Sequence, residues 1–369
     1  MPAYPFHFQP LSLRTPRFRR FRCGLLLTIG LLVALAPPAR PQSSPSNKWT
    51  VTIVLPSRVV AGRPATLAVL GVDGKLASDV TVEIGGGERV TTDASGRASF
   101  SVPPANVLIA KASGSSAAAL VDANLPENSK DEIWAPAIAS TREPFVICGS
   151  RFRSAADTNH VRLNGEPSLV IAASPECLSV MANSQVVPGP AQISVQTPSG
   201  QWTAQTTLVA LAPEFPKPAL LPGQKGKLMV RVKGSEQPLR ILVANQTPGV
   251  LRFSRGDLQE LLTSGGAENC AAIEVAAIRS GDFSFDARLE PSPDENAARR
   301  YLDDAAALVD GGEQRDIKHL TGHLAQRVAN QPGNNPRDLE ALQRDLDKIL
   351  SHTIEGDLRT LLAAARAAL

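Results

Sequence analysis

Aromatic residues are scarce in this 369-residue chain: Phe, Tyr and Trp together make up 4% of it. There are four cysteines, and no two have C-x-x-C spacing, so neither a zinc ribbon nor a dithiol redox pair is written in the sequence. No G-x-S-x-G occurs to raise a serine nucleophile on a strand-to-helix turn. The apolar run from Gly24 to Leu35 is a dozen residues, short of the ~20 that span a bilayer as a helix. Clustered basic charge is also missing from the body of the chain. The formal net charge is +3, but Arg14, Arg17, Arg19, Arg20 and Arg22 all lie in an N-terminal stretch with no acid. Without them, 33 of the 38 basic residues face 35 acids, leaving about −2. That balance argues against a nucleic-acid partner.

Proline (30) and glycine (27) are plentiful, and hydrophobic residues reach 43%. A chain of this length divides into roughly two to four domains of about 100 residues. Frequent turn residues between short Val/Thr/Ser-rich runs predict small β-sandwiches.

Residues 1–39 read as an export signal. A basic segment, Arg14 to Arg22, precedes the apolar Gly24–Leu35 run, and Ala34-Leu35-Ala36 offers small residues for cleavage. Pro37 is a poor neighbour for a cut, which moves the expected site toward Ala39 or leaves the segment as an uncleaved anchor. Residues 40–48 read as a flexible leader. The expected location is therefore extracytoplasmic (secreted, periplasmic or at the cell surface), with membrane attachment only through an uncleaved N-terminus.

From Trp49 the pattern turns to strands: WTVTIVLP, ATLAVLGV, a turn at Asp73-Gly74, DVTVEI, then RVTT and RASFSV around Asp93-Ala94-Ser95-Gly96. The segments Ala61-Gly62-Arg63-Pro64-Ala65-Thr66-Leu67 and Thr91 to Ala98, with that turn, resemble bacterial immunoglobulin-like modules of the invasin type. A transthyretin-like sandwich is the alternative for residues 49–122. After a small, polar linker at 123–132, residues 133–211 carry Pro136-x-Ile138, Ile147-Cys148-Gly149-Ser150-Arg151-Phe152, Val161-x-Leu163-Asn164-Gly165 and Ala191 to Gly200. Their order resembles the IPT/TIG domain, another immunoglobulin-like fold, found as spacers, adhesins and parts of surface or secreted enzymes. Residues 213–291 read as a third sandwich: KLMVRVKG, LRILVAN, VLRF, AAIEVAAI and DFSFDARLEP, with turns at Pro248-Gly249, Ser264 to Ala267 and Ser280-Gly281-Asp282.

From 293 to 369 the period becomes helical. One helix is expected from a cap at Ser292 or Asp294 to Gly311-Gly312, a second over RDIKHLTGHLAQRVAN, and a third from Pro336 to the end. Leu339, Leu342, Leu346, Ile349 and Leu350 line one face. That stripe either packs on its own tail and the last sandwich, or takes a partner helix or a second copy. The expected fold class is thus mainly β: tandem immunoglobulin-like β-sandwiches with an α-helical C-terminal tail.

Four chemical candidates have ordinary structural explanations. His319 and His323 share a helix face, but Leu320 stands where H-E-x-x-H needs glutamate. Gly223-Gln224-Lys225-Gly226-Lys227 lacks P-loop spacing, and Leu228 replaces the hydroxyl. Asp73, Asp93 and Asp282 sit in glycine turns without a calcium-loop pattern. Asn245-Gln246-Thr247 is a formal glycosylation sequon. No catalytic, cofactor-binding or metal residue is assigned, and no enzyme is expected. Once exported, Cys148 and Cys177 would lie on neighbouring strands of the IPT/TIG-like module and either pair or stay reduced, while Cys270 remains free. The expected role is adhesion or protein–protein interaction at a cell surface. The alternative is a glycan-binding accessory to an extracellular hydrolase, for which Trp49, Trp134 and Trp202 are the available platforms.

Overall fold

The computed structural model describes residues 51–124, 132–215, 220–290, 293–329, 336–353 and 356–369. The expected signal segment, the leader, Trp49 and most of the linker at 123–132 lie outside the described residues. The described chain is mainly β, in tandem β-sandwiches followed by four helices.

The first sandwich holds eight strands: β1 (Thr52–Val54), β2 (Arg58–Val60), β3 (Pro64–Leu70), β4 (Thr81–Ile84), β5 (Glu88–Thr91), β6 (Arg97–Ser101), β7 (Val107–Ala112) and β8 (Ser115–Asp122). β1, β3 and β6 form one layer and β2-β8-β7-β4-β5 the other. Val59, Leu67, Val69, Val82, Ile84, Phe100, Leu108 and Val121 fill the space between. Alternation along the strands selects these residues, since every second side chain points inward. β7 was not legible beforehand, because VLIAKA has no clean alternation.

The second sandwich comprises β9 (Ile138–Ser140), β10 (Phe145–Cys148), β11 (His160–Leu163), β12 (Glu166–Ala173), β13 (Cys177–Met181), β14 (Gly189–Thr197) and β15 (Gly200–Glu214). β12 turns a corner, pairing with β11 through Ser168 and with β13 from Leu169 onward. β15 is the main departure from expectation. Its first part pairs with β14 as far as Leu208, and its last part, Ala210–Glu214, pairs with β16 (Lys225–Lys233) of the third sandwich. No linker separates residues 211 and 213, where a boundary was expected. TTLVALAPE keeps an extended backbone and finds a ladder partner on each side of Val209, so the hydrogen bonds never run out.

The third sandwich adds β17 (Arg240–Asn245), β18 (Leu251–Phe253), β19 (Leu258–Leu262), β20 (Cys270–Ala277) and β21 (Phe285–Leu289). β15-β16-β20-β18 faces β19-β17-β21 across Leu228, Val230, Ile241, Val243, Phe253 and Ile273.

The tail forms α1 (Glu295–Ala307), α2 (Gly311–Ala329), α3 (Pro336–His352) and α4 (Asp357–Ala368). Asp294, not Ser292, caps α1, its carboxylate accepting from the Ala297 amide at 2.9 Å. Gly311 opens α2 rather than closing α1. The expected single helix from 336 to the end is two, because Gly356 sits at φ +136°, outside helical space. Among the described residues no helix is long and apolar enough to cross a membrane.

The tail packs on itself, as one of the two expected readings had it, but its apolar core rests on the first sandwich rather than the last. Its core joins Tyr301, Leu302, Leu324, Leu342, Leu346 and Leu362 to Val107 and Leu120 of the first sandwich. The reason lies in β7 and β8. Leu108, Ala110, Ala119 and Val121 face the sandwich interior, while Val107, Ile109, Ala118 and Leu120 face outward. A sheet apolar on both faces must be covered twice. Ala297, Ala298, Ala305 and Ala306 of α1 are small enough for the helix to lie close against it. The stripe from Leu339 to Leu350 is consumed in this intramolecular core. Residues 48–369 accordingly form one compact unit.

Candidate functional site

Cys148 and Cys177 form a disulfide, and Cys270 is free. Antiparallel β10 and β13 place the two cysteines directly opposite each other. Cys148 exchanges both backbone hydrogen bonds with Trp134 on its other side (2.7 and 2.9 Å). It therefore meets Cys177 as a non-hydrogen-bonded pair, the close kind of antiparallel pairing. Their Cα atoms are 4.1 Å apart. Ile147 and Leu178 point the other way, into the core.

Two arginines build the seams between units. Arg97, at the start of β6, donates to the carbonyls of Val170 (2.7 Å) and Ile171 (3.2 Å), where a bulge in β12 turns them outward, and pairs with Asp157 at 3.0 Å. Around it Thr66 donates to the Ser154 carbonyl (2.6 Å), Ser174 to that of Arg58 (2.7 Å) and Ser179 to that of Leu55 (3.1 Å). β3 also bridges β12 at Thr66 and Ala173, so the sheets of the first two sandwiches are continuous. Burying a guanidinium costs several kcal/mol unless its hydrogen bonds are met, and here they are.

Arg300 of α1 closes the second seam. It pairs with Asp122 at 2.7 Å and donates to the Val121 carbonyl at 2.6 Å. Arg58 reaches the other Asp122 oxygen at 3.4 Å and Asp294 at 3.8 Å. Glu176, 6% exposed, lies beneath this cluster. Burial, then the Asp122 carboxylate beside it, pushes its carboxyl up to about 7, while Arg58 and Arg300 oppose the rise. Lys111 pairs with Asp357, and Ser116 shares a hydrogen bond with Thr360 at 2.7 Å. On the third sandwich, Arg366 pairs with Glu260 and Arg240 with Glu340. Glu143, where the second sandwich meets β21, is likewise pushed up to about 7 by burial, with Arg288 opposing and Asp286 reinforcing.

A half-enclosed cavity of about 290 Å³ opens at one end of the third sandwich. Leu228, Leu251, Val275 and Ala277 make its buried floor. Phe215 stands at its edge, packed edge-on against Phe283 (ring centroids 4.9 Å) and Phe285 (5.8 Å). Phe215 and Leu221 are exposed there. Sequence reading missed this site, because its residues come from five separate segments.

The remaining candidates take structural roles. The His319 and His323 rings meet edge to face at 4.3 Å on an exposed helix face. Among the described residues no group of three or more His, Cys, Asp or Glu side chains could hold a metal ion. Gly223 (φ +86°) makes a turn, Gln224 donating to Leu221, before β16 begins at Lys225. Asp73 accepts from the Lys75 amide, and Asp93 from Ser95 and Arg97, which holds the Asp93 carboxyl below its usual range. Asn245 of the sequon is buried, its amide donating to the Leu251 carbonyl (2.7 Å) and to Asp257 (3.1 Å). Trp202 is buried, whereas Trp134 is 60% exposed.

No family model matches this sequence, and neither does any curated protein. Matches among solved structures include immunoglobulin-domain and surface-layer proteins. The N-terminal four Ig domains of Dscam1 match at 13% identity, over 63% of this chain and 73% of that one, with a TM-score of 0.21. The plexin A4 extracellular region matches at 9% over 67% and 33%, with a TM-score of 0.25. Domains 1–6 of the surface layer protein SbsC match at 13% over 66% and 39%, with a TM-score of 0.16. Likenesses of this size assign no family and no activity, and the functional reading rests on the geometry above.

Proposed function

We propose that the protein acts outside the cytoplasm as a non-enzymatic interaction protein, in adhesion or protein–protein contact at a cell surface. Residues 1–39 serve as its export signal, residues 49–122 as an invasin-type immunoglobulin-like module, 133–211 as an IPT/TIG module and 213–291 as a third sandwich. The observation that carries the reading is the locking of the sandwiches. Arg97, continuous β15 and the back-folded helices hold three sandwiches in one compact unit. A protein that works by presenting surfaces gains from fixed placement, because less order must be imposed when a partner binds. The Cys148–Cys177 bridge suits an oxidising compartment.

The test has two arms. Fractionated cells should hold the protein outside the cytoplasm, with an N-terminus between about Pro37 and Ser46. The purified exported protein should then bind intact cells saturably. A cytoplasmic pool with reduced Cys148 and Cys177 would sink the compartment, and absence of saturable binding would sink the role. Exposed Trp134 favours glycan binding as a second reading. Under it, Trp134→Ala abolishes binding to polysaccharide while leaving protein partners bound.

A further inference from the structure

The cavity in the third sandwich sets a buried apolar floor beside an exposed basic side chain. Interiors pack to crystal density, and voids larger than a water are few. The half-enclosed space of about 290 Å³ beside the core is roughly ten times the ~30 Å³ that one water occupies in the liquid. Among the described residues its lining is apolar apart from Arg279 and Ser280, both exposed at the rim. The Arg279 amide shares the Val250 carbonyl, at 3.4 Å, with the amide of Ile278. Among the described residues its guanidinium has no carboxylate within 4 Å, unlike Arg231 and Arg288 on the same sandwich, each paired with an acid. Asp282, three residues on, is exposed and outside that distance. Exposed Phe215 and Leu221 extend the apolar surface out to the rim.

We propose that this cavity binds an amphipathic monocarboxylate, a free fatty acid of about eight to ten carbons, with its chain on the Leu228–Val275 floor and its head on Arg279. A planar guanidinium matches a carboxylate with two parallel hydrogen bonds. A cavity of this volume takes one unbranched chain, and a methylene occupies about the volume of a water, which sets the length. The site stands apart from the surface role proposed above and does not depend on it.

Titration calorimetry on the exported protein tests it, with decanoate below its micelle concentration. Decanoate binds one to one, decanol of the same length binds about tenfold more weakly, and acetate does not bind. Arg279→Gln brings decanoate down to the affinity of decanol and leaves decanol unchanged. Ser280→Trp, at an exposed rim position, plugs the mouth and removes both. Circular dichroism establishes that each variant is folded. Equal affinity for decanoate and decanol overturns the proposal. So does a folded Arg279→Gln protein that keeps full decanoate affinity, or a folded wild type that binds neither. Tighter binding of an apolar peptide with a free C-terminal carboxylate than of decanoate also overturns it, by making the occupant a chain end.

Discussion

Arg300 and Asp122 are separated by 178 residues in sequence and by 2.7 Å in space. That one contact joins the first helix of the tail to the last strand of the first sandwich. It works with the apolar outer face of β7 and β8, which the helices cover.

Breaking the contact from the helix side should therefore loosen the tail. In Arg300→Ala, Asp122 keeps Arg58 as its cationic partner, at a longer distance, and the Val121 carbonyl loses its donor. Both side chains are partly exposed, so the loss should be about 2 kcal/mol, within the range for charge-assisted hydrogen bonds. Urea unfolding should show it, with faster proteolysis within α1 to α4. An unchanged midpoint and unchanged cleavage would mean that apolar packing alone holds the tail.

Stability should fall as pH rises from about 4.5 to above 7. Glu176 and Glu143 have folded-state values near 7, above the ordinary carboxyl value of the unfolded chain. Each favours the folded state while protonated. Its contribution is complete below about 4.5 and is lost as pH passes through 7. Glu176→Gln mimics the protonated form. It should raise the melting temperature at pH 8 and flatten the slope between pH 5 and 8. A wild-type melting temperature that rises across this window would contradict the assignment.

The disulfide should contribute about 3–4 kcal/mol on the chain-entropy account, given a sequence separation of 29. Cys148→Ser with Cys177→Ser should unfold at correspondingly lower urea. Alkylation of the unreduced exported protein should label Cys270 alone. Label on all three cysteines of residues 40–369 would show the strands unbridged.

Gly234 should tolerate no side chain. Its φ is +94°, and a Cβ there would meet the Leu208 carbonyl oxygen at 2.3 Å and the Gly189 amide nitrogen at 2.7 Å. Gly234→Ala adds backbone strain of about 1–2 kcal/mol to that collision. The total should exceed about 2 kcal/mol by denaturant unfolding, with damage centred where β15 passes from the second sandwich to the third. A variant as stable as wild type would show that this crossing can shift.

How much of this was legible follows the range of the interactions involved. Strand alternation in TVEI, RASFS and CLSVM, the turn at Asp73-Gly74 and the cap at Asp294 are local. A period of two or a single hydrogen bond expresses each, so the sequence determined the mainly β class, the helical tail and most elements. The facing of Cys148 and Cys177 needed only the pairing of β10 with β13. Tertiary structure decided the rest. β15 runs unbroken through an expected boundary because two different strands complete its ladder. The tail lies on the first sandwich because the AAALV run of β8 is apolar on both faces, a fact that alternation along one strand does not express. The cavity beside Arg279 has no sequence pattern at all: its floor and rim come from segments spread between Phe215 and Phe283, and only packing brings them to one place.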